Sequence, residues 1–420
     1  MKRSFLFLQG PHGPFFRQLG SFLAGQGHRV RRVNFHGGDV SDWSDQNSVD
    51  FLEPISAWPG FCRKLLAEQE ISDLVVYGDC RCQHTKAMVE ARLAGVRIHV
   101  FEEGYLRPHW ITLQANGVNG HSELPKTAAF YLDVAKNLSE PAFSPVGPAM
   151  RWQVGYCLRY YAGKIRHHER FHHYLRHRPL HPVHESRLWL KRFLCHPVRK
   201  HQALKNCRDL QQGNPPYYLV CLQLDSDAQI QCHSPFTSVA EFISQVLRSF
   251  ANFAPENTRL VIKNHPLDNG AVNYQNLITI QAHALGIEHR VIFLHYGPLA
   301  TLIRGSQGVV LVNSTVGTQA LFHAKPTVVL GRAVYDFASL TFQGGLDDFW
   351  YHGEPPDRKV FQAFRLYLFN HVLLNGSFYA PKLRKTAIVS ATKRLSEIPH
   401  RPAVMSSRVM IEKMSEPAFP

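Results

Sequence analysis

A chain of 420 residues, 45% hydrophobic and 19% charged, is long enough to bury two cores and too apolar to stay disordered. Its 47 Lys and Arg against 32 Asp and Glu give a formal net charge of +15, which favours anionic partners such as nucleotides, nucleic acid or an acidic membrane surface. The eight cysteines are scattered, with Cys80 and Cys82 in a C-x-C and no second pair, so neither a zinc motif nor a disulfide framework is expected, and free thiols in the cytoplasm fit best.

The chain begins MKRSFLFLQGP, two basic residues before an apolar run too short for the core of a signal peptide. Ser4–Leu8 therefore reads as a buried strand. No apolar run approaches the roughly 18 residues that span a bilayer, so any membrane contact is expected to be peripheral. The loop Gln9–Pro14 leads into a helix over Phe15–Gly27. Strands are expected over His28–Asn34 and Leu74–Tyr77, a helix over Thr85–Ala94 stopped by Gly95, and a further strand over Arg97–Phe101. This alternation predicts a parallel sheet of βαβ units filling a first lobe, residues 1–150.

Residues 151–210 break the rhythm. Between Arg151 and Arg208 stand 14 Lys and Arg against only Glu169 and Glu185, about twelve of the chain's net charges. Trp152, Tyr156, Tyr160, Tyr161, Tyr174 and Trp189 interleave with them. We read this stretch as a basic helical inter-lobe segment. Interleaved cations and aromatics suit an anionic lipid surface, and a basic helix packed on its own lobe is the plainer alternative. The density of His167, His168, His172 and His173 does not make a metal site, because adjacent histidines point apart on a helix.

Alternation resumes with strands at Tyr217–Leu222, Arg259–Lys263, Val291–Leu294, Gly308–Val312 and Thr327–Leu330. Helices are expected over Ser238–Ala251, Pro298–Ile303 and Thr318–His323. They define a second α/β lobe, residues 211–380, with a C-terminal helix and tail over 381–420. The expected fold is thus α/β with two Rossmann-like lobes.

In parallel sheets ligands bind beyond the carboxyl ends of strands, and four strand ends carry chemistry. Asn313, Ser314, Thr315 and Gly317 follow an apolar strand and open a helix, a setting that favours an anion; an ordinary helix cap is the alternative. Lys263, His265 and Pro266 form a cationic turn able to neutralise a phosphate, or merely a surface turn. Glu102 and Glu103 are adjacent carboxylates at a strand end, able to act as nucleophile or general base, or to form a structural pair with Arg107. Asp79 and Arg81 flank the preceding strand end, where Arg81 can hold a sugar carboxylate bidentately. Gly10, His12 and Gly13 follow the first strand without forming a dinucleotide fingerprint.

The ordered set FLFLQGPHGPFFRQLGSFLAGQGHRVRRVNFHGGD, YGDCR, FEEGYLRP, KNHPLD and LVNSTVGTQAL resembles capsule polysaccharide biosynthesis proteins of the KpsS/LipB type over most of residues 1–350. The resemblance implies a GT-B-like glycosyltransferase architecture and a retaining transfer of Kdo from CMP-Kdo to phosphatidylglycerol, which starts the capsule linker. It implies peripheral association with the cytoplasmic face of the inner membrane, and a KpsC-type transferase and capsule export complex as partners. Carried onto this chain, Lys263, His265, Pro266, Asn313, Ser314, Thr315 and Gly317 would hold the CMP donor. Glu103 would be the nucleophile, where KpsC-like relatives have the shorter Asp. Glu102 or Asp79 would be the general base, and Arg81, Arg107, Gly10, His12 and Gly13 would serve the sugar carboxylate or acceptor. No metal and no cofactor beyond the donor is implied. The rival readings are a transferase using another nucleotide sugar, a non-catalytic capsule assembly or export factor, and a nucleic-acid binder, for which no recognised module is present.

Overall fold

The computed structural model describes residues 2–174, 182–211 and 215–397, with the side chains of the 182–211 helix described in part. Arg176, Arg178, the side chains of Glu185 and Trp189, and the tail beyond 397 lie outside what is described. Twelve strands occur among the described residues: β1 (Ser4–Phe7), β2 (Arg29–Asn34), β3 (Ser48–Asp50), β4 (Asp73–Tyr77), β5 (Arg97–Glu103), β6 (Trp110–Ala115), β7 (Tyr217–Cys221), β8 (Arg259–Lys263), β9 (Val291–Leu294), β10 (Gly308–Leu311), β11 (Thr327–Val329) and β12 (Leu373–Asn375).

They form two sheets in two units. The first unit comprises residues 1–123, 140–176 and 368–420; the second comprises 124–139 and 177–367. This differs from the expected division in three ways. The basic stretch is not a segment of its own: helix Met150–Arg166 packs on helix Gly37–Asp42 of the first unit, while helix Pro182–Gln211 belongs to the second. Residues 368–380 belong to the first unit, because β12 pairs with β6. Helix Pro381–Glu397 is no separate tail, since it packs on helix Phe15–Gly25.

The first sheet runs β12-β6-β5-β4-β1-β2-β3. Its strands β1 to β5 are parallel, and β6 and β12 close one edge antiparallel, an edge not expected from the apolar runs. Continuous apolar strands are what a sheet covered on both faces requires. Phe5, Phe7 and Val75 pack on one face with Phe15, Leu19 and Ala387. Leu6, Leu8, Leu74 and Val76 pack on the other with Trp58 and Met88. At the amino end of the sheet, buried Asp73 accepts from Arg97 Nε at 2.8 Å and meets His99 Nε2 at 2.7 Å, with Arg3 also paired to it. These partners hold its carboxyl well below the usual range despite burial.

The second sheet runs β11-β10-β7-β8-β9, wholly parallel. Helix Val239–Phe253 starts at Ser238, whose Oγ accepts from the Glu241 N–H at 3.2 Å, while Glu241 reaches back to the Thr237 N–H at 2.8 Å. Its buried face, Phe242, Ile243, Val246, Leu247 and Phe250, covers β7 and β8 residues Tyr218, Val220, Leu260 and Ile262. Helix Ala128–Ala135 joins this unit through Tyr131, stacked on Phe337 at 5.4 Å and edge-on to Phe364 at 5.1 Å.

Candidate functional site

The two acids Glu102 and Glu103 are the last residues of β5, not the loop beyond it, and pair with Thr112 and Ile111 of β6. Alternation sends their side chains to opposite faces. Glu103 Oε1 accepts from Tyr77 Oη at 3.3 Å and from Tyr379 Oη at 3.2 Å. Burial raises both phenols well above the ordinary tyrosine value, with Glu103 the next cause for each, so both stay protonated and donate. Glu102 accepts the Glu103 N–H at 2.9 Å. Burial pushes its carboxyl up to about 7, assisted by the charges of Glu103 and Asp79. One strand end thus carries a carboxylate clamped by two phenols beside a carboxyl that changes charge near neutrality.

The alternative to a catalytic role, a structural ion pair with Arg107, is not made. Arg107 is exposed and its Nε donates to the Gly104 carbonyl at 3.4 Å. Asp79 is buried, and its Oδ2 accepts from the Val118 N–H at 2.9 Å and faces His121 Nδ1 at 3.2 Å. Those contacts brace the turn after β6; Glu102, the other candidate for general base, lies on the sheet face opposite Glu103. Arg81 sits half-buried with its guanidinium 5.6 Å from the centre of the ring of Tyr77, the tyrosine that donates to Glu103.

The loop after β1 is packed rather than open. The Phe16 ring lies against Gly10, and the Tyr156 ring lies against Gly13, whose φ of +100° and lack of a side chain are both required there. The His12 ring packs tilted against Tyr160 at 4.2 Å, and its Nδ1 lies 2.9 Å from Cys157 Sγ. Helix Met150–Arg166 therefore covers the residues expected to receive an acceptor. Beneath it lies a buried polar cluster that the strand pattern does not announce: Gln9 Nε2 donates to Asp39 Oδ2 at 2.9 Å, and Tyr160 Oη meets His36 Nε2 at 2.8 Å.

The second unit presents a different set. Lys263 at the end of β8 is buried rather than solvated, its Nζ donating to the Asn264 carbonyl at 3.3 Å, and burial pulls its ammonium below the usual value. His265 is half-buried and its Nδ1 accepts the Leu267 N–H at 3.1 Å, which leaves Nε2 as the protonated nitrogen of the neutral ring. Pro266 is exposed, and its carbonyl accepts from Arg192 at 2.9 Å. Arg192 also lies 3.7 Å from Asp268, so one cation of the basic stretch holds this turn from inside.

After β10, Asn313 has a structural role. Its Nδ2 donates to the carbonyls of Gln229 at 2.7 Å and His233 at 3.0 Å, and its Oδ1 accepts from Gln223 at 3.0 Å. Ser314 and Thr315 stay half-buried, with Ser314 Oγ accepting the Val316 N–H at 3.2 Å. Gly317 is obligatory: the Tyr335 hydroxyl occupies the place a Cβ would take and donates to the Ser314 carbonyl.

A family model described as capsule polysaccharide biosynthesis protein matches residues 72–379. The chain belongs to this capsule polysaccharide biosynthesis family. It is 34% identical to the capsule polysaccharide export protein KpsS of Escherichia coli, over 90% of this chain and 97% of that one. It is 35% identical to the capsule polysaccharide modification protein LipB of Neisseria meningitidis serogroup B, over 89% of this chain and 91% of that one. Among solved structures it is similar to Thermosulfurimonas dismutans KpsC, beta Kdo 2,7 transferase, at 13% identity and a TM-score of 0.45, covering 93% of this chain and 100% of that one.

The stretch matching the capsule family spans every candidate residue except Gly10, His12 and Gly13, and ends at Tyr379. Tyr77 and Tyr379 are the site residues that sequence reasoning missed. Tyr77 stands directly before Gly78-Asp79 and was open to notice. Tyr379 lies 276 positions from Glu103 and has no local signal.

Proposed function

We propose that this capsule-family chain is a retaining glycosyltransferase of GT-B-like architecture that moves Kdo from CMP-Kdo to phosphatidylglycerol, the first step of a capsule linker. The observation that carries the reading is Glu103, clamped by Tyr77 and Tyr379 beside the protonatable Glu102 at one strand end. A carboxylate so held is oriented and cannot swing away, which is what a nucleophile needs.

In the first displacement a Glu103 oxygen bonds to the anomeric carbon of Kdo, and the bond from that carbon to the CMP phosphate breaks with its electron pair leaving on phosphate. In the second, a glycerol hydroxyl of the lipid attacks the same carbon, its proton passes to ionised Glu102, and Glu103 leaves as carboxylate. Two inversions give retention, as in retaining glycosidases. Arg81, beside Tyr77, is assigned to the Kdo carboxylate. His265 Nε2–H, Ser314 and Thr315 are assigned to the CMP phosphate, with Lys263, Pro266, Asn313 and Gly317 shaping the turns that carry them. The reading needs no metal, since cationic and N–H donors can stabilise the departing phosphate. It places the protein on the cytoplasmic face of the inner membrane, working with a KpsC-type transferase and the export machinery.

The test is incubation of the purified full chain with CMP-Kdo, generated in situ, and a short-chain phosphatidylglycerol, followed by mass. One added Kdo with wild type and none with Glu103→Gln supports the reading. A product that persists undiminished in Glu103→Gln, or no turnover with CMP binding also absent, overturns it in favour of an assembly factor.

A further inference from the structure

Helix Met150–Arg166 is anchored to the first unit by one face. Tyr160 reaches His36, Arg384 donates to the Tyr156 hydroxyl at 2.8 Å, and Gly163 lies so close to Ser41 that no side chain fits there. Among the described residues the opposite face has little such cover, Tyr161 meeting only the His12 and Tyr160 rings edge-on. Met150, Val154, Leu158, Tyr161 and Ile165 are exposed, Leu158 at 67% and Ile165 at 78%. At 3.6 residues per turn these five fall within an arc of about 80°, a continuous apolar stripe about 22 Å long.

Arg151 and Lys164 flank the stripe, one on each side. The helix holds Arg151, Arg159, Lys164 and Arg166 and no acid. Trp152, farther round the helix, is exposed, with the Arg151 guanidinium 5.1 Å from its ring centre. No helix among the described residues is long and apolar enough to cross a membrane. An apolar stripe edged by cations, on a helix without an acid, is complementary to one kind of surface, a bilayer rich in anionic headgroups, in which the stripe enters the acyl boundary and the cations meet phosphate.

We infer that the outward face of helix Met150–Arg166 is the membrane-docking element of this protein, lying flat on an anionic lipid surface. The inference deepens the proposed function, since it rests on a lipid acceptor and names the surface that brings the first unit to it. Because Tyr156 and Tyr160 on the buried face contact the loop after β1, docking would also hold that loop against the bilayer side of the unit.

The experiment is vesicle flotation of the full chain with phosphatidylglycerol–phosphatidylcholine vesicles and with phosphatidylcholine alone. Wild type is compared with L158E/I165E and with R151E/R166E, each checked for an unchanged thermal melt. Wild type should float with the anionic vesicles only, and both variants should bind at least about tenfold more weakly. Wild type that fails to float, variants that float like wild type, or a double variant whose only change is loss of a dimer would each overturn the inference, the last in favour of a second copy on this face. Turnover of short-chain phosphatidylglycerol in solution separates the two proposals. Full turnover by L158E/I165E with flotation lost supports docking and leaves the transferase intact. Lost flotation with no turnover by wild type supports docking while the transferase reading fails.

Discussion

The two units share a strand order, β3-β2-β1-β4-β5 in the first and β9-β8-β7-β10-β11 in the second. Each bridges its central switch point with a glutamine after the first strand: Gln9 accepts from Gln83 in the first unit, and Gln223 donates to Asn313 in the second. What they place at the strand ends is opposite in character. The first offers Asp79, Glu102 and Glu103 with tyrosines around them; the second offers Lys263, His265, Ser314 and Thr315. One backbone plan therefore supplies two positions, and side-chain chemistry divides them into an acidic half suited to nucleophile and base and a cationic half suited to a phosphate.

The strongest way to break this division is Glu103→Gln, which should lower the rate of Kdo transfer by about 1000-fold or more while leaving the melting temperature near wild type. A loss under tenfold would mean that the acidic half does not perform the chemistry. Tyr379→Phe removes one of two donors to the carboxylate and should lower kcat about 10- to 100-fold with little change in KM. An equal effect on KM alone would make the tyrosine a binding group.

The pH response sharpens the same half. In the proposed role of general base, Glu102, with its folded value raised to about 7, must be ionised to take the acceptor's proton, so kcat should climb as pH passes upward through about 7 and lose that limb in Glu102→Gln. Stability should move the other way. The folded state holds a proton that the unfolded chain releases near the ordinary glutamate value of 4.5, so stability falls as pH rises from there to about 7. Urea titrations across that window should show a loss of about 2–3 kcal/mol, smaller in Glu102→Gln.

In the second unit, Gly317→Ala drives a methyl into the Tyr335 hydroxyl and should cost about 1–3 kcal/mol in urea unfolding. Ser314→Ala, by contrast, should raise the donor KM only about two- to fivefold. If Ser314→Ala instead abolished turnover, the cationic half would do more than hold the donor.

Strands β1, β2, β4 and β5 of the first sheet and all five of the second were legible as short, mostly apolar runs, because burial on both faces demands apolarity, whereas β3 and β6 were not read from the sequence. The end of β5 was not. Glu102 and Glu103 read as a loop because charged residues rarely end a buried strand, and only pairing with Thr112 and Ile111 of β6 reveals them as strand. Strand β12 was missed because Leu373–Asn375 is too short to signal itself and pairs with a strand some 260 residues earlier.

The sequence by itself determined the α/β class, the basic aromatic stretch and the residue types at the strand ends, since these follow from periodicity, composition and local turn chemistry. The tertiary structure alone decided which of those residues are held and which are presented. Asp79 and Asn313 carry the right chemistry in the right loops, yet contacts with Val118, His121, Gln223 and Gln229 use their polar atoms to brace turns. Tyr379 carries no local signal and still meets Glu103, because a chain segment from the far end returns to the first sheet. Local pattern sets what a residue can do; long-range packing sets what is left for it to touch.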